Sequence, residues 1–319
     1  YDYDGYSEAG IAFLLGPGEF SVPEDAARAL CESGRYGGIS LVGVSGPERT
    51  VLRFGESLAD TVREAPFSIT GIELLPEDGF DQSIELGDSW NGARPTLRQC
   101  ILRNVRFSLN KCNLQDCLVV NGTGTVWRCL FDHCTIAGNR VPESDDYYDE
   151  EDDDLRCVVI GGKIVNSIVW NNRGRNDDIR NYPADAGTIE WYLDNEYYDY
   201  DEQPESILAP SFTNSCTWPL PETGTNNISR DPLFANPAAG DFRLRPGSSC
   251  RDVGTVSVGL AERVDVAGYD RVQGSLPDLG AYEGGLVWFG GAWRTTSGDA
   301  PWTSESAPDD NREPVVRCA

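Results

Sequence analysis

The chain has 319 residues, 39% of them hydrophobic and 10% aromatic, enough apolar material for a folded core and too much for wholesale disorder. Fifty-two acidic residues stand against 26 basic ones, a formal charge of −26 that repels phosphate backbones and argues against a nucleic-acid binder. Such a surface suits solubility in salty surroundings, divalent cations or basic partners. No apolar run approaches the roughly 18–20 residues of a membrane-spanning helix.

In chain order, residues 1–10 form an N-terminal extension whose Tyr1-Asp2-Tyr3-Asp4 alternates aromatic and acid. The start at Tyr1 and the lack of methionine suit a mature secreted chain whose signal peptide is gone. Ile11 to Val22 is strand-like around Gly16-Pro17-Gly18. Ser21-Val22-Pro23-Glu24 then reads as a capping box opening a short helix through Ala26, Ala27 and Leu30, placed to cover the open end of a sheet. Strands are expected at Ile39–Val44, Thr50–Phe54 and Phe67–Leu74, between glycines and prolines.

The segment Leu97-Arg98-Gln99-Cys100-Ile101-Leu102-Arg103-Asn104 then recurs. Leu114 to Asn121 and Phe131 to Gly138 repeat it, each copy 17 residues after the last, and Ile164 to Asn171 follows after an acidic insertion. Cys100 with Leu102, Cys117 with Val119 and Cys134 with Ile136 alternate as on strands. Seventeen residues are too few for a propeller blade or a helical repeat but suit one coil of a β-solenoid, climbing about 4.8 Å per turn. Leu97, Leu114 and Phe131 then stack, as do Cys100, Cys117 and Cys134. The column Asn104, Asn121, Gly138, Asn171 implies a left-handed backbone turn, with amides free to bond along the stack. The predicted fold is all-β: a parallel β-helix over 11–284, with acidic insertions near 141–156 and 173–205. The period fades from about residue 205, and a Trp- and Gly-bearing tail occupies 285–319.

Four groups of residues are candidates for chemistry. The polar column Gln99, Asp116, His133, Asn166 precedes the inward cysteines and is expected to face outward or to occupy a turn, with Asp132 beside it; acid–base work would need such carboxylates. A solvated turn ladder accounts for it more simply, and no catalytic residue is assigned. The insertion from Glu143 to Asp154, with Asp145, Asp146, Asp149, Glu150, Asp152 and Asp153, and the later run holding Asp199 and Asp201, would bind calcium weakly if they wrapped oxygens round it. A solvated, self-repelling loop is the plainer reading, although the interleaved tyrosines suit glycan or partner contacts.

Ten cysteines form an even set without a CxxC pair, and His133 is the only histidine, so structural zinc is not expected. Disulfides in an oxidising compartment fit secretion, with Cys216–Cys250 the preferred pair and Cys318 able to tie the tail down. The in-register columns Cys100/Cys117/Cys134 and Cys112/Cys129 are expected to hold buried free thiols instead, because parallel neighbours point their Cβ atoms alike. Asn121-Gly122-Thr123 and Asn227-Ile228-Ser229 match glycan acceptor sequons.

Gly38 to Arg53 and Phe67 to Leu74 resemble the opening coils of secreted bacterial right-handed parallel β-helix surface proteins of the choice-of-anchor and polymorphic outer-membrane types. Asp231-Pro232-Leu233-Phe234, Gly240 to Gly254 and Pro277-Asp278-Leu279-Gly280-Ala281-Tyr282-Glu283 resemble their C-terminal region. The resemblance implies an extracellular or cell-surface structural or adhesive protein. Its expected partners are other copies of itself, through its terminal segments, or extracellular polysaccharide. A β-helix polysaccharide lyase or glycosidase and a calcium-dependent glycan-binding module stand as alternatives.

Overall fold

In a computed structural model, residues 10–22, 38–55, 66–76, 83–87, 94–141, 158–174, 210–257, 259–284, 286–289 and 292–295 are described. Two strands, β1 (Ile11–Leu15) and β2 (Gly18–Ser21), begin a parallel β-helix. It continues through β3 (Ile39–Gly43), β4 (Thr50–Phe54), β5 (Phe67–Thr70), β6 (Glu73–Pro76) and β7 (Ser83–Leu86). The expected strand Phe67–Leu74 is in fact two strands, because Gly71 at φ 68° turns the chain between β5 and β6. The expected helix at 24–30 lies outside the described residues.

The regular coils show why 17 residues make one turn. In the first, β8 (Thr96–Arg98), β9 (Ile101–Arg103) and β10 (Arg106–Asn110) are separated by Gln99 and Asn104 and closed by Lys111, with φ of 52°, 57° and 50°. Each left-handed residue is followed by one buried residue, Cys100, Val105 or Cys112, that turns the next strand back round the core. The next coils repeat this as β11 (Asn113–Gln115), β12 (Leu118–Val120), β13 (Thr123–Trp127), then β14 (Leu130–Asp132), β15 (Thr135–Ala137), β16 (Val159–Ile160). After them come β17 (Lys163–Val165), β18 (Ile168–Trp170), β19 (Ser211–Thr213) and β20 (Cys216–Thr217).

Strands in register build three parallel sheets. The first orders β1-β3-β5-β8-β11-β14-β17-β19, the second β2-β4-β6-β9-β12-β15-β18-β20 and the third β7-β10-β13-β16. Leu97, Leu114 and Phe131 stack as expected. The column Asn104, Asn121, Gly138, Asn171 is left-handed throughout, φ 53–68°. Its amides do not form the expected ladder; that ladder stands one residue later and inside. Asn139 Oδ1 accepts from Gly122 N at 3.0 Å, and Asn139 Nδ2 donates to Val119 O at 2.8 Å and to Asn172 Oδ1 at 3.0 Å. An amide at this inward corner satisfies strand-end groups that water cannot reach.

The repeat also extends further than its sequence period suggests. Ser211-Phe212-Thr213-Asn214-Ser215-Cys216-Thr217 aligns with Lys163 to Val169 as another coil, and Thr225 and Ile228 bridge onto it in parallel. Beyond it the chain leaves the helix. An antiparallel pair, β21 (Phe234–Asn236) with β22 (Asp241–Leu244), and the irregular segment 246–284 lie along the outside of the second sheet. The apolar runs of β9, β12 and β15 are therefore buried on both faces: Leu102, Val119 and Ile136 inside, Ile101, Leu118 and Val120 under Phe242, Leu244, Leu279 and Ala281. A last antiparallel pair, β23 (Leu286–Phe289) with β24 (Ala292–Thr295), follows. No helix among the described residues is long and apolar enough to cross a membrane.

Asn139→Ala removes the acceptor of the Gly122 N–H and a donor to Val119 O with no water to replace either. It is expected to lower stability by about 2–4 kcal/mol in denaturant unfolding, whereas Asn104→Gly, which keeps a left-handed corner, is expected to stay within about 1 kcal/mol.

Candidate functional site

The polar column occupies turn positions, as expected, but it does not face water. The segment 252–271 covers it, and every member bonds to that segment. Gln99 Nε2 donates to Val264 O at 3.0 Å and Asp265 O at 3.2 Å. Asn166 Oδ1 accepts from the backbone N–H and the hydroxyl of Thr255, both at 2.9 Å, and Asn214 Nδ2 donates to the same hydroxyl at 2.9 Å.

Asp116 is the centre. Its Oδ1 accepts from Arg271 Nε at 2.9 Å and Nη2 at 2.6 Å, and its Oδ2 from Arg263 Nε at 3.1 Å and Nη2 at 2.8 Å. Two guanidinium forks thus saturate one carboxylate that is 3% exposed, and Arg271 is wholly buried. The remaining Nη1 of Arg263 reaches Asp132 Oδ2 at 2.6 Å, and Asp132 Oδ1 lies 2.8 Å from His133 Nδ1. Burial holds His133 below its ordinary pKa despite Asp132, so the neutral ring donates from Nδ1; its buried Nε2 has no hydrogen-bond partner. Asp132 feels burial pushing upward, yet its bonds to His133 and Arg263 hold it below the usual carboxylate range. Asp116, Asp132 and His133 do come together, one coil apart, but as a packed ion network and not on an open catalytic face.

Three further buried carboxylates staple the covering segment to itself. Asp265 takes the N–H groups of Ala267, Tyr269 and Glu283 at 2.8–2.9 Å. Asp278 takes that of Asp252 at 2.8 Å, and Glu283 Oε2 takes that of Asp278 at 2.8 Å. Burial raises all three, Asp265 to about 6, Asp278 to about 7 and Glu283 to about 8, the last pushed also by the Asp278 carboxylate. Arg271 Nη1 stands 3.7 Å from Glu283 Oε2, too far for a hydrogen bond, which suits a protonated Glu283 at neutral pH. Sequence reasoning missed these residues and both arginines. The Pro277–Glu283 run was visible, but nothing in it names partners some 150 positions away.

The cysteines divide cleanly. Cys100, Cys117, Cys134, Cys112 and Cys129 are buried free thiols, as expected. The sulfurs of Cys100, Cys112, Cys117 and Cys129 donate to carbonyls of the preceding coil, as Cys117 does to Leu97 O at 3.4 Å, while Cys134 Sγ donates to Asp132 O in its own coil. Cys216 and Cys250 do meet, but as two buried thiols and not as the expected disulfide. Cys216 Sγ donates to Arg230 O at 3.3 Å, and its hydrogen bond with Cys250, then burial, pushes its thiol well above the ordinary value. Of the sequons, Asn227 has Oδ1 on Ser215 N and Nδ2 on Phe212 O, both at 3.1 Å, so a glycan on Nδ2 would compete with the coil; Asn121 Nδ2 donates to Pro237 O at 3.2 Å. The proposed calcium ligands Asp145, Asp146, Asp149, Glu150, Asp152, Asp153, Asp199 and Asp201, and Cys318, lie outside the described residues. Among the described residues no group of three or more His, Cys, Asp or Glu is arranged to hold a metal.

The outer surface of the described residues also carries an open feature. A cleft of about 540 Å³ runs between the Asn121, Gly138, Asn171 corner and the β21–β22 pair. Arg140, Arg173, Arg245, Asp231 and Trp170 are among its walls. No protein-family model and no curated protein matches the sequence.

The signs for pH follow from these groups. Glu283, Asp278 and Asp265 have raised pKa values in the folded chain, so folding holds protons that the unfolded chain has lost. Their contribution is complete below about pH 4 and declines as pH rises through about 6 to 8. Asp132, lowered, acts oppositely, and its contribution is lost as pH falls below its ordinary 3.8. His133, held below its ordinary 6.5, likewise loses its contribution as pH falls through that value, so thermal midpoints are expected to be highest near about pH 6 and to fall toward pH 8.5, and Glu283→Gln is expected to flatten that decline. Asp116→Asn leaves two arginines facing a neutral amide, one of them fully buried, and is expected to cost about 3–5 kcal/mol in denaturant unfolding.

Proposed function

We propose that the chain is a structural and adhesive β-helix protein of the cell surface that assembles through its ends. One observation carries the assembly: among the described residues, the first strand of the solenoid is apolar and unpaired on its outer edge. Strand β1 pairs only with β3, its other edge meets no strand among the described residues, and Phe13 and Leu14 are exposed. An unpaired apolar edge strand is a template for addition of another strand. The β23–β24 pair, which follows directly after the covering segment, is an extended element suited to supply one from a second copy, a head-to-tail contact that repeats without closing.

Secretion and surface placement are supported by the acidic composition and by the resemblance of the opening coils and C-terminal motifs to bacterial surface β-helix proteins. The carbohydrate-active alternative drew on Asp116 and Asp132. The Arg263 and Arg271 bonds give that pair a structural task instead.

Electron microscopy of the purified chain with and without residues 285–319 tests the assembly. Filaments or short head-to-tail oligomers are expected from the full chain and single particles from the truncated one. Single particles in both samples would refute it.

A further inference from the structure

We propose that Cys216 and Cys250 are a reversible dithiol–disulfide pair, a latch that a low-molecular-weight disulfide closes to tie the covering segment to the last coil. The structure shows the pair reduced. The inference goes beyond the proposed function, since it concerns how the cover is held and not how copies assemble.

The first argument is placement. Cys216 opens β20, the last strand of the second sheet, and Cys250 lies in the irregular segment 246–284 that covers that sheet. Both are wholly buried in the apolar layer between sheet and cover, with their side chains hydrogen-bonded to each other. Each backbone is fixed independently of the other. Cys216 N–H donates to Ser167 O at 2.8 Å, and the residue bridges Ile228 in parallel. Cys250 N–H donates to Ser248 Oγ at 3.1 Å, and its carbonyl accepts the Leu279 N–H at 2.8 Å. Two sulfurs in contact on anchored backbones need little more than side-chain rotation to close an S–S bond of about 2.05 Å.

The second argument is contrast with the coils. Cys100, Cys117 and Cys134, like Cys112 and Cys129, hold one register of successive parallel coils. Their Cβ atoms point the same way at about one strand spacing, roughly 4.8 Å, where a disulfide wants about 3.8 Å. A bond inside a column would also join only coils that the sheet ladder already holds. A Cys216–Cys250 bond closes the whole excursion from β20 through β21 and β22 to the cover, a loop long enough for a crosslink to remove much of the unfolded chain's freedom.

The chemistry balances with an oxidant of the glutathione disulfide class. One protein thiol gives up its proton, and its thiolate attacks a sulfur of the oxidant, forming a mixed disulfide and releasing one small thiolate that takes a proton. The second protein thiol then loses its proton and attacks the protein sulfur of the mixed disulfide, expelling the second small thiol. The protein loses two hydrogens and the oxidant gains them. Because both sulfurs are fully buried, the exchange occurs before the cover closes or when it lifts, and the finished bond is shielded from reductants.

The test is disulfide mapping of the full chain refolded from denaturant in reduced or in oxidised glutathione, so that both thiols are reachable before the cover closes. The protein is acid-quenched, its free thiols are alkylated after denaturation, and the non-reduced peptides are read by mass spectrometry. In oxidised glutathione a peptide holding Cys216 is expected joined to one holding Cys250, while Cys100, Cys112, Cys117, Cys129 and Cys134 are alkylated. The thermal midpoint is expected to rise by about 5–10 °C over the reduced chain. Cys250→Ser is expected to remove both the link and the rise, and Cys112→Ala to keep both. Mapping of the parent chain needs no variant, so it decides the question even if a substitution prevents folding. The proposal is overturned if Cys216 and Cys250 stay alkylated in oxidised glutathione, or if the link forms without raising the midpoint. It is overturned equally if either pairs instead with a coil cysteine or with Cys31, Cys157 or Cys318, which lie outside the described residues. None of these results bears on filament assembly, which microscopy reads separately.

Discussion

A carboxylate buried at a solenoid corner has to be paired, and Asp116 is paired twice, to Arg263 and to Arg271. Neither arginine belongs to the coils, so the corner is complete only when the segment 252–271 lies over it. Removing Asp116 leaves the buried Arg271 without its counter-charge, which costs more than the intact network contributes, and removing either arginine leaves one carboxylate oxygen of Asp116 without its donors. This requirement places the covering segment, and that placement seals the outer face of the second sheet. Ile101, Leu118 and Ile168 then meet Leu244, Leu279 and Ala281 in a second apolar layer, separate from the solenoid interior. The β21–β22 pair leads into the same segment and forms one wall of the cleft. Electrostatics at one corner thus determine packing along a sheet.

The same constraint explains why the cover has an acid-stabilised character although the chain is so acidic. Asp265, Asp278 and Glu283 lie in one buried cluster with a single fully buried arginine, Arg271, which is already bound to Asp116. Arg263 and Arg271 are both committed to Asp116, and Arg251 stands 3.9 Å from Asp278, so the three carboxylates of the cluster outnumber the cations left to them. Protonation of some of them, together with backbone N–H donors, is the cheaper solution, and burial raises their pKa values accordingly. Corner and cover therefore respond to opposite ends of the pH scale, the Asp132 bonds failing in acid and the Glu283 cluster in base.

The coils were legible in the sequence because their signal is local and repeated. Asn104, Asn121, Gly138 and Asn171 announce a left-handed corner by residue type alone, and the 17-residue spacing puts their neighbours in register. The inward ladder was displaced by one position because Asn139 and Asn172 occur in only two coils, while Val105 and Gly122 hold the same place in the others. The last full coil was hidden by the insertion before it, though its Asn214-Ser215 pair repeats Asn166-Ser167. The burial of the polar column could not be read in this way. Gln99, Asp116, His133 and Asn166 are ordinary turn residues at an exposed corner until a segment from far along the chain covers them. The one trace of that cover was the consecutive apolar run in β12, Leu118-Val119-Val120, which a sheet with one wet face would not carry.

A solenoid of this kind separates construction from recognition. Inward residues are fixed by stacking on the coils above and below, so a ligand contact made there would disturb three coils at once. Corner residues and those just beyond them are freer, since only the backbone angle is prescribed. At the first corner that freedom is used to hold the cover, since Gln99, Asp116 and Asn166 all bond to residues of the segment 252–271.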